Sequence, residues 1–186
     1  MCEIHQAAYA VIRCFEQGGK LLLCGNGGSA ADCGHIAGEL CKGFLKRRPL
    51  TDDQKALIGE DFAAQLQQGL PAIDLTAQTP VMTAIINDLC GDNVFAQQVM
   101  AFGRPGDVLL GISTSGNAEN VRRALITAKS QGMTVIGLSG GTGGKMQALC
   151  DLLLLSPEKE TYKVQEDHIK MYHQLCILIE EHFFKA

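Results

Sequence analysis

Cys24-Gly25-Asn26-Gly27-Gly28-Ser29-Ala30-Ala31-Asp32-Cys33-Gly34-His35-Ile36-Ala37-Gly38-Glu39 is the stretch whose reading decides the fold. The apolar run before it, Lys20 to Leu23, reads as a short buried strand. Gly25, Gly27 and Gly28 with Asn26 then give a backbone able to turn sharply and to approach a ligand without Cβ interference. Ser29 stands where an N-cap is expected, and Ala30 to Leu40 reads as a helix. A glycine-rich turn from strand to helix points free N–H groups and the positive helix end at one place, which suits a phosphate. Further along the helix, His35 and Glu39 are four residues apart and share a face. Donors for an oxyanion and a His/Glu pair thus come from one element.

Outward from this unit the chain alternates strands with helices. Residues 4 to 17 carry apolar positions at helical spacing (Ile4, Ala7, Ala8, Val11, Ile12, Phe15) and end at Gly18-Gly19. Leu21 to Cys24 is the first strand. Thr51 to Gln68 reads as one polar amphipathic helix opened by Thr51-Asp52-Asp53. Leu70 to Leu75 is the second strand, followed by helices over Thr79 to Leu89 and Phe95 to Phe102. Strands at Val108 to Ile112, Thr134 to Leu138 and Asp151 to Leu155 are separated by a helix, Glu119 to Lys129, and a short helix ending at Leu149. A long final helix, Lys163 to Phe183, carries Gln165, His168 and His173. Strands that read as continuous apolar runs between helices predict a parallel sheet covered on both faces. No internal repeat or linker divides residues 1–186, so the expectation is one doubly wound α/β domain.

Composition narrows the function. The chain has 186 residues, 46% hydrophobic and 19% charged, which fits a globular α/β domain and excludes disorder. A net charge of −4 argues against a broad nucleic-acid surface. No apolar run approaches the roughly 18 residues a membrane span requires, and the N-terminus shows no signal pattern. The eight cysteines form no CxxC pair and occupy largely apolar positions, as reduced thiols of a cytoplasmic protein do. Lys42 to Pro49 holds four basic residues and reads as a solvated loop or a cationic clamp.

Two nucleotide motifs are approached and missed. Gly25-x-Gly27-x-x-Ala30 fits a dinucleotide fingerprint, but the next strand comes far too late to supply its acidic partner. Gly144-Lys145 resembles the end of a P-loop, yet Ser139 and Met146 break the pattern. No nucleotide cofactor is expected. A second polar turn, Ser113-Thr114-Ser115-Gly116-Asn117, repeats the logic of the first, offering hydroxyls and N–H groups between a strand and a helix. Two such turns, one beside a His/Glu pair, point to a phosphate monoester. Gln165, Glu166, His168 and His173 on the last helix supply a distant group that completes either a nitrogen/oxygen metal site or an acid/base pair with His35 and Glu39.

CGNGGSAADCGHIAGEL, GDVLLGISTSGNAENV, MTVIGLSGGTGGKM and VQEDHIKMYH together resemble the sugar isomerase (SIS) domain family, and within it the phosphoheptose isomerases. The resemblance covers nearly the whole chain. It implies a flavodoxin-like, five-stranded parallel sheet and an aldose–ketose isomerase that interconverts sedoheptulose 7-phosphate and D-glycero-D-manno-heptose 7-phosphate. Carried over by motif, Asn26, Gly27, Gly28 and Ser29 bind substrate, as do Asn87, Asp88 and Gln165, with Ser113, Thr114 and Ser115 as the phosphate turn. His35, Glu39, Gln165 and His173 match a set holding one zinc ion per subunit, and Glu39 and His173 match the base and the acid. The resemblance also implies a homotetramer with sites between subunits, the apolar faces of the first and last helices (Ile169, Tyr172, Cys176, Ile179, Phe183) being the expected contacts. Ala118 replaces a usual serine, and Tyr162-Lys163 replaces a usual Asp-Arg. The segment from Lys46 to Leu70 is longer than in those enzymes, and the sequence begins about one helix late relative to them. A replication-initiator-associating relative of the same fold offers a non-catalytic alternative, but lacks the histidine that matches His173.

Overall fold

The apolar run after the first helix forms β1 (Leu21–Gly25), buried along its whole length. In the computed structural model, which describes residues 2–185, β1 pairs in parallel with β2 (Ala72–Asp74) on one side and β3 (Val108–Ser113) on the other. β4 (Thr134–Gly140) and β5 (Leu152–Ser156) extend the sheet, giving the all-parallel order β2-β1-β3-β4-β5. The helices are, in chain order, α1 (Glu3–Glu16), α2 (Gly28–Cys41), α3 (Asp52–Ile58), α4 (Glu60–Ala63), α5 (Thr79–Asp88), α6 (Val94–Phe102), α7 (Glu119–Ser130) and α8 (Thr161–Phe183).

Both faces of the sheet are packed, which is why its strands read as unbroken apolar runs. Leu21, Leu23, Val108, Leu110 and Ile112 join Val11, Ile36 and Tyr172 beneath α1, α2 and α8. Leu22, Cys24 and Leu109 point the other way, to Phe95 and Leu125 on α6 and α7. The register sets Gly25 beside Ile112, Ser113 beside Ser139, and Gly140 beside Ser156. The turns after β1, β3, β4 and β5 therefore open on one carboxyl edge. Strand order reverses between β1 and β3, the place where doubly wound sheets bind ligands.

Three local expectations change. Gly27, at φ +55°, is the N-cap of α2, so the helix begins at Gly28 and Ser29 lies buried inside its first turn without capping anything. The left-handed turn needs no side-chain cap and starts the helix early. The 51–68 helix is two short ones: Thr51 makes the expected capping box, but Gly59 at φ +94° breaks the helix before α4. The apolar faces expected to join subunits are largely spent inside this one, since Tyr172, Cys176 and Ile179 share a core with Ala7, Val11 and Phe15 of α1. Large apolar side chains left exposed include Val81 and Ile86 on α5 and Met100 and Phe102 on α6. All eight cysteines are free, and burial pushes the Cys14 and Cys24 thiols up to about 11 and about 12, too high for ready ionisation.

Candidate active site at the carboxyl edge

The glycine turn after β1 and the hydroxyl turn after β3 are fastened to each other. Asn26 Nδ2 donates to Asn120 Oδ1 and Asn120 Nδ2 donates to Asn26 Oδ1, both at 2.9 Å. The second turn is braced from behind by the loop after β4. Gly116 has φ +65°, and a Cβ there would collide with the Gly143 carbonyl oxygen, so only glycine fits. Asn117 donates to the Ser115 carbonyl at 2.9 Å and accepts from the Lys145 N–H at 3.1 Å. Ser113 is buried, its carbonyl accepting from Ser139 Oγ at 2.7 Å, while Thr114 is half-buried and Ser115 exposed. α7 starts after Ala118 with no side-chain cap, and α2 likewise after Gly27. Two helix starts and the hydroxyls of Thr114 and Ser115, the latter accepting the Asn117 N–H at 3.2 Å, thus lie along one carboxyl edge, the arrangement that receives an oxyanion.

The second half of the site lies on α2 and α8. His35 Nε2 is 3.3 Å from Glu39 Oε1 and 3.3 Å from His173 Nε2. Gln165 lies over the start of α2, where a Cβ on Gly28 would collide with its amide nitrogen. Glu39 Oε2 is held by Lys42 Nζ at 3.1 Å. His35 Nδ1 pairs with the Tyr172 hydroxyl at 2.9 Å, and Asp32, whose buried Oδ2 has no hydrogen-bond partner among the described residues, lies nearby. Burial raises both groups: Asp32 despite the Tyr172 hydroxyl and His35 beside it, and Tyr172 with further help from the Asp32 charge. Tyr172 therefore fixes the imidazole that stands between Glu39 and His173, as outer partners of reactive histidines commonly do.

The structure thus brings together His35, Glu39 and His173, with Gln165 against the glycine turn, and joins that turn to Ser113, Thr114 and Ser115. It does not bring in Asn87 and Asp88, which are exposed at the end of α5 and hydrogen-bonded to each other at 2.7 Å. Sequence reading missed Tyr172, Asp32, Lys42 and Asn120. Tyr172 was assigned to an apolar stripe by its spacing with Cys176 and Ile179. Asp32 offered a signal, an acidic residue at i−3 from His35 on an otherwise small and apolar helix.

His168 stays out of the cluster. It is fully buried, and neither ring nitrogen makes a well-formed hydrogen bond among the described residues. Burial pulls its pKa below the ordinary histidine value, outweighing the nearby Ser139 carbonyl and the Asp167 charge. An unfolded chain protonates such an imidazole near about pH 6.5, the folded chain only at lower pH. Below that point the unfolded state binds more protons, so stability falls as pH drops. Thermal melts between about pH 7.5 and 5.5 should show this slope, and His168→Gln should flatten it. Equal slopes in the two proteins would refute the assignment.

His35, Glu39 and His173 form a nitrogen/oxygen donor set of the kind that holds a divalent metal ion. Two nitrogens and an oxygen bound tetrahedrally at about 2.0–2.1 Å lie roughly 3.3–3.4 Å apart, and both distances measured from His35 Nε2 are 3.3 Å. No group of three or more His, Cys, Asp or Glu side chains stands assembled around one point among the described residues. Glu39 would have to share its carboxylate with Lys42. The chemistry of the His35, Glu39 and His173 donor set suits zinc.

Comparison with known proteins follows the same lines. The SIS domain family matches residues 1–140. The phosphoheptose isomerase of Aneurinibacillus thermoaerophilus is 43% identical over 182 residues, 98% of this chain and 82% of that protein. The phosphoheptose isomerase of Burkholderia pseudomallei (strain 1710b) is 44% identical over 184 residues, 99% of this chain and 84% of that one. The solved structure of phosphoheptose isomerase GmhA from Neisseria gonorrhoeae superposes with a TM-score of 0.81 at 40% identity, over 96% of this chain and 85% of that chain.

Proposed function

The chain belongs to the SIS domain family, among its phosphoheptose isomerases, and from that premise we propose how its residues carry out the reaction. It is an aldose–ketose isomerase acting on sedoheptulose 7-phosphate. The observation that carries the assignment of chemistry is the approach of Glu39 and His173 to the same imidazole, His35, at 3.3 Å each.

The reaction moves a proton between adjacent carbons through an ene-diol, together with hydroxyl protons. Glu39 takes the proton from the carbon beside the carbonyl, and His173 serves the oxygens. His35, fixed through Nδ1 by Tyr172, keeps the two groups in place. The sugar's phosphate lies in the crevice of Thr114, Ser115 and the glycine turn Asn26 to Ser29. Asn26 contributes through its backbone there, because its side chain is tied to Asn120. Gln165 reaches the substrate from α8.

Replacing Ser115 by Ala should raise KM and leave kcat nearly unchanged, since phosphate is bound equally in ground and transition states. Loss of a charge-assisted hydrogen bond costs about 1.5–3 kcal/mol. An unaltered KM for Ser115→Ala and for Thr114→Val would exclude this turn.

His35, Glu39, Gln165 and His173 would hold one zinc ion. Bound there, it would supply Lewis-acid polarisation of the substrate carbonyl. Zinc affinity should weaken as pH falls below the histidine range, because a ligating imidazole must be neutral. Calorimetric titration of metal-stripped protein checks this; absence of binding at micromolar zinc would contradict it. Homo-oligomerisation, with a tetramer as the expected state, is supported by the apolar side chains exposed on α5 and α6, and light scattering would test it. Eight free thiols suit a reducing, cytoplasmic location, and no helix among the described residues is long and apolar enough to cross a membrane.

A further inference from the structure

The basic stretch Lys42 to Pro49 contains one arginine that neither clamps a phosphate nor meets solvent. Arg48 is fully buried, 0% exposed. Its guanidinium donates to the carbonyl of Leu40 at 2.6 Å through Nη1 and to the carbonyl of Glu39 at 3.0 Å through Nη2. It also donates to Glu180 Oε1 at 3.0 Å through Nε, with Nη2 2.9 Å from the same oxygen. The Phe184 ring lies 4.8 Å from its central carbon. Glu180 is buried as well, and its carboxylate accepts the N–H groups of Phe44 and Leu45 at 2.8 Å each and of Lys46 at 3.2 Å. These bonds and the Arg48 charge hold its pKa below the ordinary glutamate value against the opposing effect of burial.

These contacts join the two helices of the active site at one point. α2 ends at Cys41, so the carbonyls of Glu39 and Leu40 fall in the last turn, where no helical N–H reaches them. Arg48 supplies donors to both, and so grips the backbone of the residue assigned as base. Its other contact, Glu180, lies seven residues beyond His173, two turns along the same face of α8. A rigid planar fork that meets two carbonyls and a carboxylate fixes both distance and rotation, which a lysine's single ammonium does not.

We propose that Arg48 is a positioning residue: it sets α2 against α8 so that Glu39 and His173 meet at His35. The proposal rests on the isomerase reading of that cluster. A purely structural role would leave Arg48 as the counter-ion of Glu180 and support for the 44–46 loop, and the two roles separate in a double variant. Arg48→Met strands the Glu180 carboxylate. Arg48→Met with Glu180→Gln removes the buried charge while its amide oxygen still accepts from the loop N–H groups. Arg48→Lys keeps the charge and loses the fork.

The experiment measures, on the full chain, the melting temperature, kcat and KM for sedoheptulose 7-phosphate, and the imidazole NMR resonances of His35 and His173. Arg48→Met should lower the melting temperature by about 10 °C, and the double variant should recover most of that loss. In all three variants kcat should fall about 10–100-fold, KM should stay within about threefold, and both imidazoles should shift. Recovery of wild-type kcat in the double variant or in Arg48→Lys would overturn the proposal, since charge balance alone would then suffice. If wild type does not turn the sugar over, the isomerase reading fails, and the resonances alone decide: shifted imidazoles uphold positioning, unchanged ones overturn it. Failure of all three variants to fold would make Arg48 a folding residue and overturn it equally.

Discussion

Replacing Glu39 by Gln is expected to lower kcat by about 10²–10⁴-fold, roughly 3–5 kcal/mol of barrier, while KM changes little. The amide keeps the side chain's size and an oxygen within reach of His35, but it cannot take a proton from carbon. It cannot pair with Lys42 as a carboxylate does either, yet that exposed contact, at 3.1 Å, is a small term beside the loss of a base. In the proposed reading the phosphate is held by other residues, Thr114 and Ser115, so substrate affinity should change little. Steady-state kinetics on sedoheptulose 7-phosphate checks the split. A kcat within about threefold of wild type, well inside the smallest effect of losing a general base, would remove Glu39 from the chemistry.

His173→Asn is expected to cost a comparable factor in kcat by a different route. The shorter amide has no titratable nitrogen to serve the sugar oxygens, and it vacates the contact with His35 Nε2 at 3.3 Å. His35 keeps its Tyr172 anchor through Nδ1, so the fold and the remaining cluster should persist. The loss should therefore appear in kcat, without a large fall in melting temperature. A variant that melts far below wild type would show that His173 supports packing more than catalysis. The two substitutions act on one unit, so the double variant should lose less than the product of the single losses.

Much of this was legible in the sequence, and for identifiable reasons. Continuous apolar runs and period-3.6 patterns sorted strands from helices, because both faces of the central strands are buried. Gly25, Gly27 and Gly28 marked the turn after β1, since a left-handed φ and a close neighbour leave glycine as the residue that fits. The pairing of His35 with Glu39 followed from helical spacing, and His173 was placed by its motif. Contacts between distant segments stayed hidden. Nothing in the local pattern distinguishes Arg48 from Lys42, Lys46 and Arg47, although it alone of the four is fully buried. Tyr172 fits an apolar stripe until its hydroxyl is seen on His35. Gly59 sits inside a helical pattern, and its left-handed φ of +94° breaks the helix there. The link between Asn26 and Asn120 stayed hidden because the two lie 94 residues apart.

The most direct test of the account is solvent-deuterium exchange by the wild-type, zinc-supplemented protein acting on sedoheptulose 7-phosphate, followed by NMR at the carbon beside the carbonyl. The account predicts deuterium at that carbon together with accumulation of the aldose phosphate, and loss of both signals in Glu39→Gln. A wild-type protein that neither exchanges the proton nor isomerises the sugar would contradict it.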